Sequence, residues 1–243
     1  MVLHRIIVGV LLNKKIFRLS SVGGTLTDAI LSLENNDCKI RSNYFSKVTS
    51  SNNFADLHVS FLNSEETNKL SFQSDQVVLR VSSTEGNSPV SVDKVVQQFE
   101  AFWKQADKVV NFPEIRRVGI VAEYRIDPKN DHCAANQLIE TLLTVPPAKH
   151  SGRFHLTYED RELNPDGTVP DKASGDFWST IYTYYLSEID ETPAEGKIVA
   201  SMDTQKYYNP AKSNILAELK SVKKVFIKNK SKFKALLQEM GLE

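Results

Sequence analysis

The sequence predicts an α+β fold in which antiparallel sheets are covered by amphipathic helices, with a long helix at the C-terminal end. Most of the chain consists of short segments in which apolar and polar residues alternate, as in strands with one face in a core. Two longer segments instead place apolar residues every three or four positions, which is typical of helices that cover a sheet. Strands come first and a helix last in each half of the chain, and this order indicates antiparallel sheets covered on one face.

The first half, residues 1–127, is predicted to hold most of the strands. Strands are predicted at residues 4–12, 38–49, 55–62, 70–82 and 118–126, and a short helix at residues 25–33. The segment 70–82 is interpreted as a hairpin that turns near Ser74-Asp75. A clear helix is predicted from Val92 to Val110, because its apolar residues recur at helical spacing, and Pro113 ends the pattern.

The second half, residues 152–243, repeats this order after a connector at residues 128–151. Strands are predicted at residues 153–163, 177–189 and 197–205, followed by the long helix, which reaches Met240. No residue-level repeat relates the halves. Two separate α+β units and one continuous domain therefore both remain open.

Composition sets limits on the class of protein. The chain has 243 residues and balances 30 basic against 30 acidic residues, so its total charge favours no partner. Its two cysteines cannot form a disulfide framework and favour a reducing compartment. The first apolar run, residues 6–12, is far shorter than a membrane span of about 20 residues. We therefore expect a cytoplasmic protein without a membrane partner.

The C-terminal helix carries a ladder of lysines. Between residues 212 and 234 there are eight lysines and one acid, Glu218, after a strongly acidic segment at residues 157–196. Like charges four residues apart destabilise a helix by about 0.2–0.5 kcal/mol per pair. Either the acidic segment neutralises the lysines, or they attract an anionic partner such as nucleic acid. The candidate phosphate-binding residues are Lys220, Lys223, Lys224, Lys228 and Lys232.

The same helix carries an apolar stripe that has two interpretations. It packs against the sheet of its own chain, or it forms a homodimer seam in which Asn229 sets the register. The candidate interface residues are Ile215, Leu219, Val222, Phe226 and Phe233.

A search for catalytic and metal motifs finds no constellation. There is no nucleophile elbow, and Ser21-Val22-Gly23-Gly24 is interpreted as a turn-like loop. The stretch Asp131-His132-Cys133 does not form a catalytic pair, because adjacent residues rarely point at each other. Glu195-Gly196-Lys197 and Asp37-Cys38-Lys39 match a short metal-dependent nuclease pattern without the upstream acid that it requires. No catalytic residue, metal ligand or cofactor is predicted.

Two segments resemble a sporadically distributed, uncharacterised prokaryotic protein family. The first runs from Leu70 to Ile126 and includes the strand pair, the helix with its aromatic residues, and Pro113-Glu-Ile-Arg-Arg-Val-Gly-Ile-Val-Ala-Glu-Tyr-Arg-Ile126. The second is a strand containing Asp203 followed by the terminal helix. The resemblance implies an antiparallel α+β architecture and brings no activity, cofactor or catalytic residue with it.

These observations predict a non-catalytic binding or assembly protein that acts through protein–protein contacts, including self-association. One alternative is a nucleic-acid-associated protein that uses the lysine ladder. A second alternative is a metal-dependent, nuclease-like enzyme.

Overall fold

The structure, a computed structural model, describes residues 1–42, 44–84, 91–128, 134–143, 153–171, 175–186 and 197–242. The strands are β1 (Val2–Leu12), β2 (Lys47–Ser51), β3 (His58–Leu62), β4 (Asn68–Gln73), β5 (Gln76–Ser82), β6 (Ile115–Ile126), β7 (His155–Arg161), β8 (Phe177–Leu186) and β9 (Ile198–Lys212). The helices are α1 (Leu19–Leu31), α2 (Val92–Val110), α3 (Ala134–Leu143) and α4 (Ile215–Glu239). The predicted α+β class is confirmed, since the strands form an antiparallel sheet and a long helix follows it.

The strands belong to one nine-stranded sheet in the order β2-β3-β4-β5-β1-β6-β9-β8-β7. β1 and β6 pair at its centre, with Gly9 opposite Gly119. β6, the last strand of residues 1–127, also pairs with β9 and thereby joins residues 1–127 to residues 152–243. The two halves predicted from the sequence thus share a single continuous sheet.

Two segments of the chain, β1 to α2 and β6 to α4, follow the same path through this sheet. Each begins with a central strand, passes through a helix, returns by an antiparallel meander to the neighbour of that strand, and ends in a helix. β5 returns beside β1, and β9 returns beside β6. The paired central strands also have similar tripeptides at the same register, Val8-Gly9-Val10 in β1 and Val118-Gly119-Ile120 in β6.

The core lies between the helices and one face of the sheet. The alternating apolar residues of β1 and β6 face it, and Ile6, Val8, Val118 and Ile120 are inaccessible to solvent. All four of the described helices contribute buried residues to this same core. We call this side of the sheet the helix-covered face. None of the described helices combines the length and apolar character that crossing a membrane requires.

Two predicted elements differ from the structure. Gly23 and Gly24, interpreted as a loop, lie inside α1, which begins six residues earlier than predicted. The predicted strand at residues 38–49 is mostly loop, and only β2 remains of it. Cys38 and Ile40 of this loop are buried, so their apolar character marks core contact rather than a strand.

Candidate functional site

The lysine ladder lies on the exposed side of α4. Lys220, Lys224, Lys228 and Lys232 are exposed on the side of the helix opposite its buried stripe, and none makes an ion pair among the described residues. Lys223 differs, because its Nζ lies 2.9 Å from Oδ1 of Asp93. In the described part of the chain, neutralisation by acidic residues therefore does not account for the ladder.

The predicted interface residues lie inside the protein. Ile215, Leu219, Val222, Phe226 and Phe233 are all 5% exposed or less, packed between α4 and the sheet. The ring of Phe233 contacts those of Tyr124, Tyr182 and Tyr184. These five side chains cannot contact a partner protein while the chain keeps this fold. A protein–protein interface therefore has to use other residues.

Asn229 interrupts the apolar stripe for an internal reason. Its side-chain amide donates hydrogen bonds to the hydroxyls of Thr180 at 3.2 Å and Thr204 at 3.4 Å. Both threonines are buried. The polar position expected to set a dimer register instead satisfies hydroxyl groups of the sheet beneath the helix.

The opposite side of the sheet, which we call the open face, carries none of the described helices. Successive strand residues point to opposite faces, so the polar positions of the central strands converge there. Five of the nine arginines of the chain lie on this face: Arg5, Arg80, Arg117, Arg125 and Arg161. Its strands contribute three acids, Glu123, Glu159 and Asp203.

Two of these acids have arginine partners. Arg5 Nη1 lies 3.1 Å from Oε1 of Glu123, and the hydroxyl of Tyr185 donates to Oε2 of the same carboxylate at 3.2 Å. At the sheet edge, Arg161 Nε lies 2.9 Å from Oε1 of Glu159. Arg5 and Arg161 are thus neutralised in pairs.

Two arginines close to this network are not in contact with any described acidic residue. Arg80 and Arg125 make no ion pair among the described residues, and the Nε of each is buried without a hydrogen-bond acceptor. Burial, and then the charge of Arg5, lower the pKa of the Arg80 guanidinium, against the opposing charge of Glu123. A buried donor left without an acceptor costs about 1–3 kcal/mol, and more when the group is charged.

His4 reports the positive charge of this region. Its pKa is lowered to about 4, first by burial and then by the charges of Arg125, Arg5 and Lys197. The imidazole therefore stays neutral next to the arginines, and an anion bound among them would reverse part of this shift.

A second polar network lies on β6 and β9. The side-chain amide of Gln205 donates to one oxygen of Asp203, and the hydroxyl of Tyr207 donates to Oε1 of Gln205 at 2.8 Å. Nη1 of Arg117 donates to the same Gln205 oxygen at 3.4 Å. The other oxygen of Asp203, Oδ1, is inaccessible and has no hydrogen-bond partner within the described ranges. Burial raises the pKa of this carboxyl to about 6, against the opposing effects of Gln205 and Arg117.

Metal and catalytic candidates gain no support from the geometry. No group of three or more His, Cys, Asp or Glu residues suited to a metal ion occurs in the part of the chain that the structure describes. Cys38, from the pattern Asp37-Cys38-Lys39, is a buried free thiol, and burial raises its pKa. Asp131-His132-Cys133 and Glu195-Gly196 lie outside the described residues.

Comparisons with protein-family models and with curated protein sequences found no match. The candidate site therefore depends on the residues of this chain alone. The sequence contained one signal for the open face: Arg80 and Arg125 stand between apolar residues of predicted strands, and Arg5 and Arg117 each directly precede an apolar residue. The signal was missed because strand order, which brings these four residues together, does not follow from alternation.

Proposed function

We propose that this protein is a non-catalytic binding protein that holds nucleic acid on the open face of its sheet through the phosphate groups. The observation that carries the proposal is the concentration of five of the nine arginines on this one face. Arginine binds phosphate through two parallel N–H donors, and such charge-assisted bonds are among the strongest in proteins. The proposal keeps the nucleic-acid hypothesis and moves its site from α4 to the sheet.

The extent of the positive surface favours a polymer over a single small anion. Arg117 and Arg125 are eight residues apart on β6, which is about 27 Å in a strand. Arg80 lies two strands away from β6, on β5. One phosphate cannot reach all three guanidinium groups, whereas the backbone of an extended strand can cross the sheet between them.

The lysine ladder is a separate surface in this proposal. It lies on the outer side of α4, and the sheet separates it from the open face. A strand lying on the open face would not touch it, so variants of the two surfaces distinguish the two sites.

Fluorescence anisotropy with a labelled oligothymidine strand tests the proposal. The wild type is expected to lose affinity between about 50 and 200 mM salt, with a slope of about −0.7 in log K per phosphate contact. Arg80→Gln with Arg125→Gln is expected to weaken binding about tenfold or more and to reduce this slope by about 1.4. Lys224→Gln with Lys228→Gln removes the same charge from α4 and is the matched control. If this control loses the affinity instead, the site lies on α4.

The protonation of His4 gives a second, local measurement. Phosphate bound beside Arg5 and Arg125 would partly cancel their effect on the imidazole, so the pKa of His4, about 4 in the free protein, is expected to rise in the complex. Nuclear magnetic resonance follows this titration residue by residue. An unchanged His4 pKa at saturating DNA would place the phosphates elsewhere.

A protein partner or self-association is the second candidate, because one pair of aromatic residues favours it. Phe17 and Phe54 are 52% and 64% exposed, yet their rings contact each other at 5.9 Å between centroids. Exposed aromatic residues that cluster are typical of binding hot spots. Light scattering during size exclusion is expected to show a dimer that Phe17→Ser with Phe54→Ser converts to a monomer; a monomeric wild type rules out self-association here.

The proposed location is the cytoplasm. The support for it is the small number of cysteines in the sequence, of which Cys38 is a free thiol.

A further inference from the structure

A cavity of about 580 Å³ lies between the end of α2 and the start of α4, on the helix-covered side of the sheet. Trp103 and Lys104 line it from α2, Phe112 lines it from the segment that follows, and Ile215 lines it from α4. The cavity opens to solvent, and its volume is within the range of small-molecule sites, about 300–1,000 Å³. The nucleic-acid site proposed above uses none of these residues.

Trp103 brings an unpaired hydrogen-bond donor to this cavity. Its side chain is only 5% exposed, and its ring stacks on that of Phe112 at 4.3 Å between centroids. The indole N–H has no acceptor among the described residues, and the protein does not enclose it completely. The N–H therefore faces the space that Trp103 lines. A buried tryptophan usually has a partner for this group, so the free donor indicates an acceptor that comes from outside the chain.

The first turn of α4 adds a second donor. Asn214 caps this helix, and its side-chain oxygen accepts from the backbone N–H of Ala217 at 3.2 Å. The N–H of Leu216, a residue that also lines the cavity, has no acceptor within the described ranges. Free N–H groups at the start of a helix carry partial positive charge and favour an anion. The two donors together indicate a negatively charged acceptor.

The charged residues of the wall match a single negative charge. Lys104 makes no ion pair in the described part of the chain, and Lys108 donates to the side-chain oxygen of Gln105 at 3.0 Å. Asp107, the one acid among the described lining residues, accepts from the backbone N–H of Phe112 at 2.9 Å. Two lysines and one aspartate leave one net positive charge. A carboxylate carries the matching charge, whereas a phosphate monoester carries almost twice as much.

We propose that this cavity binds a small aromatic carboxylate. The donors available to the carboxylate are the indole N–H of Trp103, the N–H of Leu216 and the ammonium group of Lys104. The rest of the wall includes Phe112 and Pro113, against which the ring of the ligand packs. An aromatic ring is favoured over an aliphatic chain there, because pairs of aromatic rings gain energy beyond the area that they bury.

Nuclear magnetic resonance titrations with cinnamate and cinnamamide test the proposal. The amide has the same ring and linker without the negative charge. Trp103 and Trp178 are the two tryptophans of the chain, so nitrogen-labelled protein gives two indole N–H signals, which Trp178→Phe assigns. Cinnamate is expected to move the Trp103 signal, to leave the Trp178 signal in place, and to bind about tenfold more tightly than the amide.

Two variants and a matched control locate the binding. Lys104→Gln removes an exposed cation and is expected to weaken cinnamate about tenfold, with the affinity for cinnamamide unchanged. Lys224→Gln removes the same charge from the outer side of α4 and is expected to bind both compounds as the wild type does. Trp103→Phe keeps a ring in the core without the N–H and is expected to weaken cinnamate. Its melting temperature shows whether it folds, and if it does not, Lys104→Gln decides alone.

Each other outcome overturns the proposal. Equal affinity for cinnamate and cinnamamide shows that the cavity does not select a carboxylate. Tighter binding of phenyl phosphate than of cinnamate shows a site for a dianion instead. An unmoved Trp103 signal, or equal losses in Lys104→Gln and Lys224→Gln, shows that the ligand is not in this cavity. Binding of oligothymidine is measured separately, and its success or failure leaves this inference unchanged.

Discussion

On the helix-covered face of the sheet the side chains are apolar and closely packed, whereas on the open face the same strands carry arginines, carboxylates and two glycines. In β1, Ile6 and Val8 are inaccessible, while Arg5 and Ile7 next to them remain partly accessible. One strand contributes to both surfaces because its successive residues point in opposite directions. The comparison teaches that the helix-covered face provides the stability of the fold, and the open face is left free for charged groups.

The charged groups of the open face are poorly paired within the chain. Among the described residues, Arg80, Arg125 and Asp203 each have a buried polar atom without a hydrogen-bond partner. On the helix-covered face the hydroxyl of Tyr124 also lacks a partner among these residues, but it is neutral, and Asn229 lies where two buried hydroxyls accept its protons. Unpaired buried charge lowers stability. Its concentration on one face is therefore better explained by a ligand than by folding.

Truncation of the core is expected to have the largest effect and gives the first test of this comparison. Phe233→Ala on the helix-covered face should destabilise the protein by about 3–5 kcal/mol, because a large aromatic side chain leaves a cavity against three tyrosines. Urea unfolding measures the change. The control is Ile227→Ala on the exposed side of the same helix, where the side chain is 42% exposed and a loss below about 1 kcal/mol is expected. Equal losses would contradict the division into two faces.

Much of the helix-covered face could be predicted from the sequence, because periodicity reports which residues are buried. The hairpin turn at Ser74-Asp75 separates β4 from β5 as predicted. Helix α2 has the predicted bounds, Val92–Val110. Gly23 and Gly24 were assigned to a loop because glycine is a poor helix former, but packing of α1 against the sheet overrides this preference. A Cβ on Gly23 would lie 3.7 Å from Val59, so the helix approaches the sheet closely there.

The second prediction concerns the buried carboxylate of the open face. The pKa of Asp203 is raised from 3.8 to about 6, so the folded protein binds a proton between these pH values that the unfolded chain does not. Its ionised form therefore lowers stability above pH 6, by up to about 3 kcal/mol. Asp203→Asn is expected to raise the melting temperature at pH 7–8, with the gain disappearing as the pH falls towards 4.

A paired carboxylate on the same face is the control for this prediction. Glu123→Gln removes an acid that has Arg5 as its partner at 3.1 Å. It is expected to lower the melting temperature, because the guanidinium would be left without its counter-charge. A gain in stability from both variants, or from neither, would show that pairing does not distinguish the two carboxylates.

The third prediction concerns the polar exception on the helix-covered face. Asn229→Ala removes two hydrogen bonds and leaves the hydroxyls of Thr180 and Thr204 without this donor. We expect a loss of about 1 kcal/mol for each bond, measured by urea unfolding. Light scattering of the same variant separates this explanation from the dimer seam, because a residue that sets an internal contact should not change the mass of the particle.

The candidate site was far less predictable than the core, because it depends on strand order. Arg5 and Glu123 are 118 residues apart in the chain and form an ion pair only because β1 and β6 are neighbours. Alternation shows that both are on a polar face, but it contains no information about which strands pair. The lysine ladder was easy to see because its spacing is local. The network on the sheet could not be seen in the sequence, because its residues are far apart in the chain.

The lysine ladder gives the smallest predicted effect. Lys224 has Lys220 and Lys228 as like-charged neighbours four residues away, and no ion pair among the described residues. Lys224→Glu should therefore stabilise the protein by about 0.5 kcal/mol at low salt, and the gain should vanish near 1 M salt, where the screening length is about 3 Å. Lys223→Glu, one position away, is the contrasting control, because it breaks the ion pair with Asp93 and should be destabilising. If Lys224→Glu instead lowers stability, the ladder has an acidic partner within the protein and is not a free surface. If it stabilises the protein and leaves the affinity for oligothymidine unchanged, the ladder is a solvated helix surface, and the open face alone holds the nucleic acid.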